Sequence, residues 1–422
     1  MTEGGNKRPR VGSGGSNVAC HATRKVSSIE ELENFEIEEE CVFAAVKQED
    51  HPLLAEKGFF RSLAKNYKKI LNTFCADKVA LHSNAKCYVL RAFDDLTPEL
   101  REIVKEKALE YHVFHNKRKY EDLSLDECLR LLGDEYGVMV SFETVGHIAH
   151  LNLPAERLWA KDIIAKILMD KHKHIHTVVN KVKEVENQFR TMELELLRGE
   201  DNLITLQQEN GYTFKIDFRN VYWNSRLIQE RERISDTFHL GDVVVDMFAG
   251  VGPFAVYAAA KGCLVLANDL NPVGTAYIDI NASLNKLSHL ITSYNRDARE
   301  FAKEVADLSF MDKAVSKYKN YDLKPESKIH FVMNLPKDAI EFLDVFNGLM
   351  KDKNIQEQRT LMIHCYCFSS AQDVETDIDE RVEKALQHRI ESRAIVKVRD
   401  VSPKKHMYCV EFNMPGAVLS KG

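Results

Sequence analysis

The sequence lacks any run near the roughly 18 to 20 uninterrupted apolar residues that a bilayer-spanning helix requires. Charges interrupt even the most apolar stretch, Val243 to Leu266, so a membrane protein is not expected. There is no CxxC pair. The nine cysteines are scattered and odd in number, and Cys365 and Cys367 stand too close for ordinary metal-ligand spacing. They read as reduced thiols of an intracellular protein with no structural metal. No internal repeat is apparent. An excess of positive charge is also missing: the formal net charge is -6, which argues against a nucleic-acid partner because neutralising phosphates needs clustered Lys and Arg. The average conceals an uneven distribution. Ser27 to Asp50 holds nine acids and one base, whereas Lys57 to Tyr120 holds fourteen bases and seven acids. That basic section permits RNA binding without showing it, since most charge runs are solvated faces.

With 422 residues, 44% of them apolar, the chain exceeds what one hydrophobic core usually serves, and several domains are expected. Residues 1–28 are rich in Gly, Ser and charge, show no hydrophobic periodicity, and read as a disordered tail. Lys7-Arg8-Pro9-Arg10 has the composition of a nuclear import signal, and Glu3 with the acidic arm makes a poor mitochondrial presequence. Residues 29–118 alternate short apolar segments with a helical pattern at Leu100 to Tyr111, suggesting a small α+β domain. Residues 119–218 read as a second one, with strands at Val138 to Phe142, Ile148 to Leu153 and Thr177 to Val182 and a helix over Pro154 to Lys171. His172, His174 and His176 fit a polar helix-to-strand connection better than a metal site.

From Gly241 the pattern becomes strand and helix in alternation. Strands are expected at Val243 to Asp246, Cys263 to Ala267, Leu290 to Tyr294, Ile329 to Met333 and Thr360 to Tyr366, with helices at Pro253 to Lys261, Pro272 to Leu287, Lys337 to Met350 and Asp373 to His388. A polar insertion covers Met311 to Ser327, and two late strands lie near Ala394 to Val398 and Met407 to Phe412. This predicts a parallel sheet with helices on both faces, closed by a hairpin. Asp246-Met247-Phe248-Ala249-Gly250-Val251-Gly252-Pro253 then sits at the carboxyl end of the first strand, where a doubly wound sheet places its ligand. A lone GxG is a weak signal and a nicotinamide cofactor competes for it. Asp246, however, suits a cationic aminoacyl group and would repel a pyrophosphate. Asp269, followed by Leu270, closes the second strand where ribose hydroxyls need an acceptor, and Asp297-Ala298 follows the third where an adenine edge is held. Each acid singly could be a helix cap; three in register with three strand ends resemble the class I (Rossmann-like) methyltransferase α/β fold, with S-adenosyl-L-methionine as cofactor.

Further motifs surround this scaffold. Val221-Tyr222-Trp223-Asn224-Ser225-Arg226 leads into Leu227-Ile228-Gln229-Glu230-Arg231-Glu232-Arg233, and Asn334-Leu335-Pro336-Lys337 ends the fourth strand. With Phe189-Arg190, the stretch from Glu193 to Glu200, and Ser141 to Leu151, they resemble the tRNA (guanine-37 N1)-methyltransferase family of eukaryotes and archaea, over roughly Phe35 to the C-terminus. One departure is Ser225, where that family usually has proline.

The resemblance implies transfer of a methyl group from S-adenosyl-L-methionine to N1 of guanosine 37 of tRNA, supporting reading-frame maintenance, by a monomer of the cytoplasm and nucleus, with the mitochondrial matrix left open. Guanine N1 carries a proton at neutral pH, so the chemistry needs a base for it and a cation for the charge that spreads to O6. By the resemblance Glu230 is the base and Arg190 the cation. Asn334 orients the guanine beside the cofactor, Pro336 stiffens the turn, Tyr222 and Arg226 shape the pocket, and Arg231 approaches the cofactor. Asp246, Phe248, Gly250, Gly252, Asp269, Leu270, Asp297, Ala298 and Asn334 hold the cofactor. Residues 29–118 would recognise tRNA, residues 119–218 supply Arg190, and residues 219–422 form the catalytic domain. Against this, Glu230 could be an exposed helix acid and Arg190 could pair with Glu193 or Glu195. Lys337 in place of an aromatic disfavours an exocyclic-amine acceptor. A wybutosine-pathway aminocarboxypropyl transferase and a non-catalytic tRNA-binding protein are the alternatives.

Overall fold

The computed structural model describes residues 26–50, 85–133, 142–184, 191–306, 326–350 and 360–421, together with Leu63, Ala64, Tyr67, Lys68, Cys75, Val79, His82, Asn84 and Phe189. The basic tetrapeptide at 7–10, most of the basic section before residue 85, Val138 to Ser141, Arg190 and nearly all of the polar insertion lie outside the described residues. The chain divides into two compact units, residues 1–140 with 156–171, and residues 141–155 with 172–422.

In the first unit β1 (Glu36–Lys47) lies between β2 (Ala85–Arg91) and β3 (Ala108–Lys119), antiparallel to both. Its central run Cys41 to Val46 is buried throughout. Val42, Ala44 and Val46 pack with Leu96, Leu100 and Val104, while Cys41, Phe43 and Ala45 fill the opposite face. Thr97 caps the helix Pro98–Lys107. The helix expected to reach Tyr111 stops at Lys107. Residues Ala108 onward pair with β1 instead, Tyr111 opposite Ala44, so a ladder partner overrides the helical spacing. The helix Lys161–Lys171 belongs to this unit and buries Ile163, Ile164, Ile167 and Leu168.

The second unit contains a four-stranded sheet of β4 (Phe142–Val145), β5 (Ile148–Leu151), β6 (Thr177–Glu184) and β7 (Met192–Gly199), and a hairpin of β8 (Ile204–Glu209) with β9 (Tyr212–Asp217). Its main sheet is built from β10 (Val243–Asp246), β11 (Leu264–Asn268), β12 (Ile291–Tyr294), β13 (Ile329–Met333), β14 (Leu361–Ser369), β15 (Ala394–Ser402) and β16 (Lys405–Asn413). The order is β12-β11-β10-β13-β14-β16-β15, parallel except for β16, which runs antiparallel to both neighbours. Buried on both faces, β10 reads as unbroken valine: Val244 packs into one core, Val243 and Val245 into the other. The helix expected over Lys337 to Met350 is instead a tight turn and a 3-10 helix, Glu341–Phe346. Successive three-residue hydrogen bonds there bury Ala339, Ile340, Leu343 and Phe346 together.

Candidate functional site

The strand order reverses between β10 and its neighbours β11 and β13, and a doubly wound sheet opens a crevice at the carboxyl ends of the strands beside such a reversal. Several of the residues singled out above stand at the strand ends and on the loops there. Gly250 and Gly252 have φ of 58° and 84°, a left-handed backbone that favours glycine, and Gly252 starts the helix Pro253–Ala260. Asp269 fixes this loop from the end of β11: one carboxylate oxygen accepts from Gly250 N at 2.7 Å, the other from Asn271 N at 2.8 Å. Asp246 is fully buried, accepts from Phe248 N at 3.3 Å, and leaves Oδ2 without a hydrogen-bond partner. Burial, with Asp269 close by, pushes its carboxyl up to about 8. A buried acceptor with nothing to accept from suits a cationic ligand group such as the ammonium of an aminoacyl chain. At the neighbouring strand end Asn334 likewise has a buried, unpartnered Oδ1.

Asp297 caps the helix Ala298–Val305 through Arg299 N and Glu300 N, and is itself exposed, whereas Ala298 is buried. Leu270 is exposed and Phe248 packs edge-on against Phe342 at 5.0 Å. The Pro336 carbonyl accepts from Phe368 N, which ties the turn after β13 to β14. The residues that brace these loops were not singled out from the sequence. Asn268, 1% exposed, donates to the Met247 and Arg296 carbonyls and accepts from Arg296 N, so one amide joins three segments. A Cβ on Gly274 would stand 2.9 Å from the Gly250 carbonyl, so glycine lets the helix Pro272–Leu284 approach the loop.

The second group lies on the segment before β10. Asn224 accepts from Arg226 N and caps the short turn Ser225–Leu227, and the Trp223 indole donates to the Ser225 hydroxyl at 3.0 Å. The serine that replaces the usual proline thus has its own hydrogen bond. Tyr222 is 51% exposed, and Arg226 is ion-paired with Glu143. Arg231 is buried, donates to Glu209 at 2.5 Å and to the Asn224 carbonyl at 2.9 Å, and lies 4.7 Å from the Trp223 ring. It fastens the turn to the β8–β9 hairpin.

Glu230 is 6% exposed, not an exposed helix acid. Arg233 holds it with two hydrogen bonds, Nε to Oε2 at 2.8 Å and Nη2 to Oε1 at 2.7 Å, and Tyr366 donates to Oε1 at 2.8 Å. Tyr366 lies one residue past the pair Met333 and Cys365, which is the level at which Asn334 leaves β13. Glu230 is thereby tied to β14. Tyr366 gave no signal in the sequence because its contact with Glu230 spans 136 residues, whereas Arg233 lies three residues on from Glu230 along the same helix. The histidines at 172, 174 and 176 do not form a metal cluster among the described residues; His364, Cys409 and Glu411 bring donor atoms within 4.8 Å, but Arg233 already supplies the positive charge there.

The family model for the TRM5/TYW2 methyltransferase domain matches residues 205–391, and that for the TYW2 N-terminal domain matches 130–202. A tRNA (guanine(37)-N(1))-methyltransferase of Theileria parva is 40% identical over 410 residues, covering 94% of this chain and 82% of that one. The chain belongs to the tRNA (guanine(37)-N(1))-methyltransferase family. Its relative of the same name in Danio rerio is 42% identical, covering 74% of this chain and 64% of that one. Among solved structures, Trm5b of Pyrococcus abyssi matches with a TM-score of 0.57 at 23% identity, over 88% of this chain and 98% of that one. The complex of aTrm5 and tRNALeu matches with a TM-score of 0.59 at 23% identity, over 89% and 99%. These two share the fold. Among the described residues of this family member, no helix is long and apolar enough to cross a membrane.

Proposed function

We propose that this chain transfers the methyl group of S-adenosyl-L-methionine to N1 of guanosine 37 of tRNA. The observation that carries the reading is the likeness to a tRNA (guanine(37)-N(1))-methyltransferase along nearly the whole chain. The site agrees with it. S-adenosyl-L-methionine supplies an electrophilic methyl group on a sulfonium. Asp246 would hold its ammonium, Asp269 its ribose, and the segment at Asp297-Ala298 its adenine edge, with Phe248, Gly250, Gly252 and Leu270 shaping the cleft. Asn334, whose Oδ1 lacks a partner, would receive a hydrogen bond from the target base.

Glu230 takes the N1 proton in this reading, and a positioned carboxylate contributes about 10²- to 10⁴-fold. Arg190 stabilises the charge at O6 through a permanently ionised, forked donor. Tyr222 and Arg226 flank the base, Pro336 stiffens the turn behind Asn334, and residues 29–118 bind tRNA without taking part in the chemistry. Arg231 acts from one step back, by holding the turn that carries Arg226.

Aminocarboxypropyl transfer is the reading that the TYW2 N-terminal model raises for residues 130–202. Incubation of the protein with isotopically labelled cofactor and an unmodified tRNA transcript, followed by nucleoside mass spectrometry, separates the two. A methylated guanosine supports the proposal. A guanosine carrying the aminocarboxypropyl group, or no label in tRNA, overturns it.

A further inference from the structure

Glu230 does not stand alone as a base. The Nη2 of Arg233 that reaches Glu230 Oε1 at 2.7 Å also reaches Glu411 Oε1 at 2.7 Å, so one nitrogen is shared by two carboxylates. Glu411 lies on β16 opposite His364 of β14 and is 16% exposed; Glu230 is 6% exposed. The trio Glu230, Arg233 and Glu411 therefore carries a net charge of about -1 in a mostly dry setting. Two carboxylate charges on one cation make uptake of a proton favourable there, because it leaves a neutral cluster. With Glu411 absent, the same proton would leave the Arg233 guanidinium charged and without a carboxylate.

The hydrogen bonds also distinguish the two oxygens of Glu230. Oε1 accepts from both Arg233 and Tyr366, which uses its two lone pairs, whereas Oε2 accepts only the Arg233 Nε bond. One lone pair on Oε2 is left to receive a proton.

We infer that Glu411 is a positioning residue for the reaction, which retains the Arg233 guanidinium while Glu230 Oε2 takes the guanine proton, so that the three side chains together are neutral once the proton has arrived. The inference rests on the reading of Glu230 as the general base. In the step concerned the N1–H bond breaks towards Oε2, the electron pair on N1 forms the bond to the methyl carbon, and the S–CH3 bond breaks to leave a neutral thioether. The proton is afterwards released from Oε2 to solvent.

The charged and titratable groups around this cluster are Arg233 on the same helix, Tyr366 and His364 on β14, Cys409 and Glu411 on β16, and behind them His330 on β13 with Asp242. His364 Nδ1 stands 3.6 Å from Glu411, too far for a hydrogen bond but close enough for a charge to be felt, and His330 Nδ1 lies 3.0 Å from His364 Nε2. Although burial works the other way, His364 and Arg233 hold the Glu411 carboxyl down at about 2, so Glu411 stays ionised through the working range.

The test is the single-turnover methylation rate against pH, with saturating tRNA and S-adenosyl-L-methionine, for the wild type, Glu411→Gln, Glu411→Asp, His364→Gln and Glu230→Gln. The two carboxylate oxygens lie within twice 2.7 Å of each other. Loss of one charge at that range should move the acidic limb of Glu411→Gln to lower pH by about one to two units. Its plateau should fall about three- to tenfold. Glu411→Asp, which keeps the charge, should return the limb towards the wild-type position, and KM for tRNA should not move in either. Cofactor affinity of each variant reports whether it is folded. A Glu411→Gln limb that stays in place while Glu230→Gln slows the step overturns the role of Glu411 and leaves Glu230 as the base. A limb shift reproduced in full by His364→Gln also overturns it, since the histidine would then be the group that matters. A Glu230→Gln enzyme with an unaltered rate overturns the base assignment itself.

Discussion

Replacing Asp246 tests the cofactor site through its charge. The carboxyl is fully buried and raised to about 8, with one oxygen unpartnered. At pH 7 roughly one empty site in ten is then ionised, and binding a cationic ammonium must draw the carboxylate into its charged form. Binding at pH 7 should therefore release close to one proton. Affinity should rise about tenfold between pH 6 and 7, level off near pH 8, and stay flat above while the ligand ammonium remains protonated. Asp246→Asn keeps the shape and removes the charge; a charge-assisted hydrogen bond of about 1.5 to 3 kcal/mol corresponds to an affinity loss of roughly ten- to hundredfold. That variant should bind without proton release. Calorimetry in buffers of different ionisation enthalpy measures both quantities, and methylthioadenosine, which has no ammonium, serves as the control whose affinity should not follow this pH dependence. Proton release near zero for the wild type, with an affinity that ignores pH, would refute the placement of the ammonium at Asp246.

Asp269→Ala should weaken cofactor binding about ten- to hundredfold, because it removes the anchors of Gly250 and Asn271 and, on the proposed reading, the ribose acceptor; unchanged affinity in the folded variant removes Asp269 from the site. Gly274→Ala sets a methyl 2.9 Å from the Gly250 carbonyl, a backbone atom that cannot swing aside, and should lower stability by about 1 to 3 kcal/mol, read as a fall in Tm, with a matching loss of cofactor affinity. Arg231→Met strands the buried Glu209 carboxylate and should destabilise the fold by about 3 to 5 kcal/mol in urea denaturation. Adding Glu209→Gln should recover much of that loss, and a double variant no better than the single would show that the pair is not coupled.

The parallel sheet was legible because its strands are short, mostly apolar and punctuated by Gly, Pro and Asn. β10 and β13 begin and end where the sequence placed them, with Asp246 closing β10. Elements decided by partners were not legible. Ala108 to Lys119 has helical spacing at its start, yet becomes a strand because β1 offers a ladder. Asp338 to Phe346 has the apolar content of an α-helix, yet its i, i+3 bonds draw it tight. At the site, Glu230 could be picked from a motif, whereas its surroundings could not. Tyr366 and Glu411 look in sequence like core and surface residues of late strands, and only the antiparallel entry of β16 beside β14 brings them to one carboxylate.

The central claim, methyl transfer to N1 of guanosine 37, is tested most directly by primer extension on tRNA transcripts after reaction with the protein. One transcript carries guanosine at position 37 and its twin carries adenosine. A methyl group on N1 blocks the Watson–Crick edge, so a reverse-transcription stop is expected at position 37 of the guanosine transcript that grows with the label incorporated, and neither stop nor label in the adenosine twin. Label incorporated without a stop, or equal label in both transcripts, would place the methyl group on another atom or another nucleotide and contradict the account.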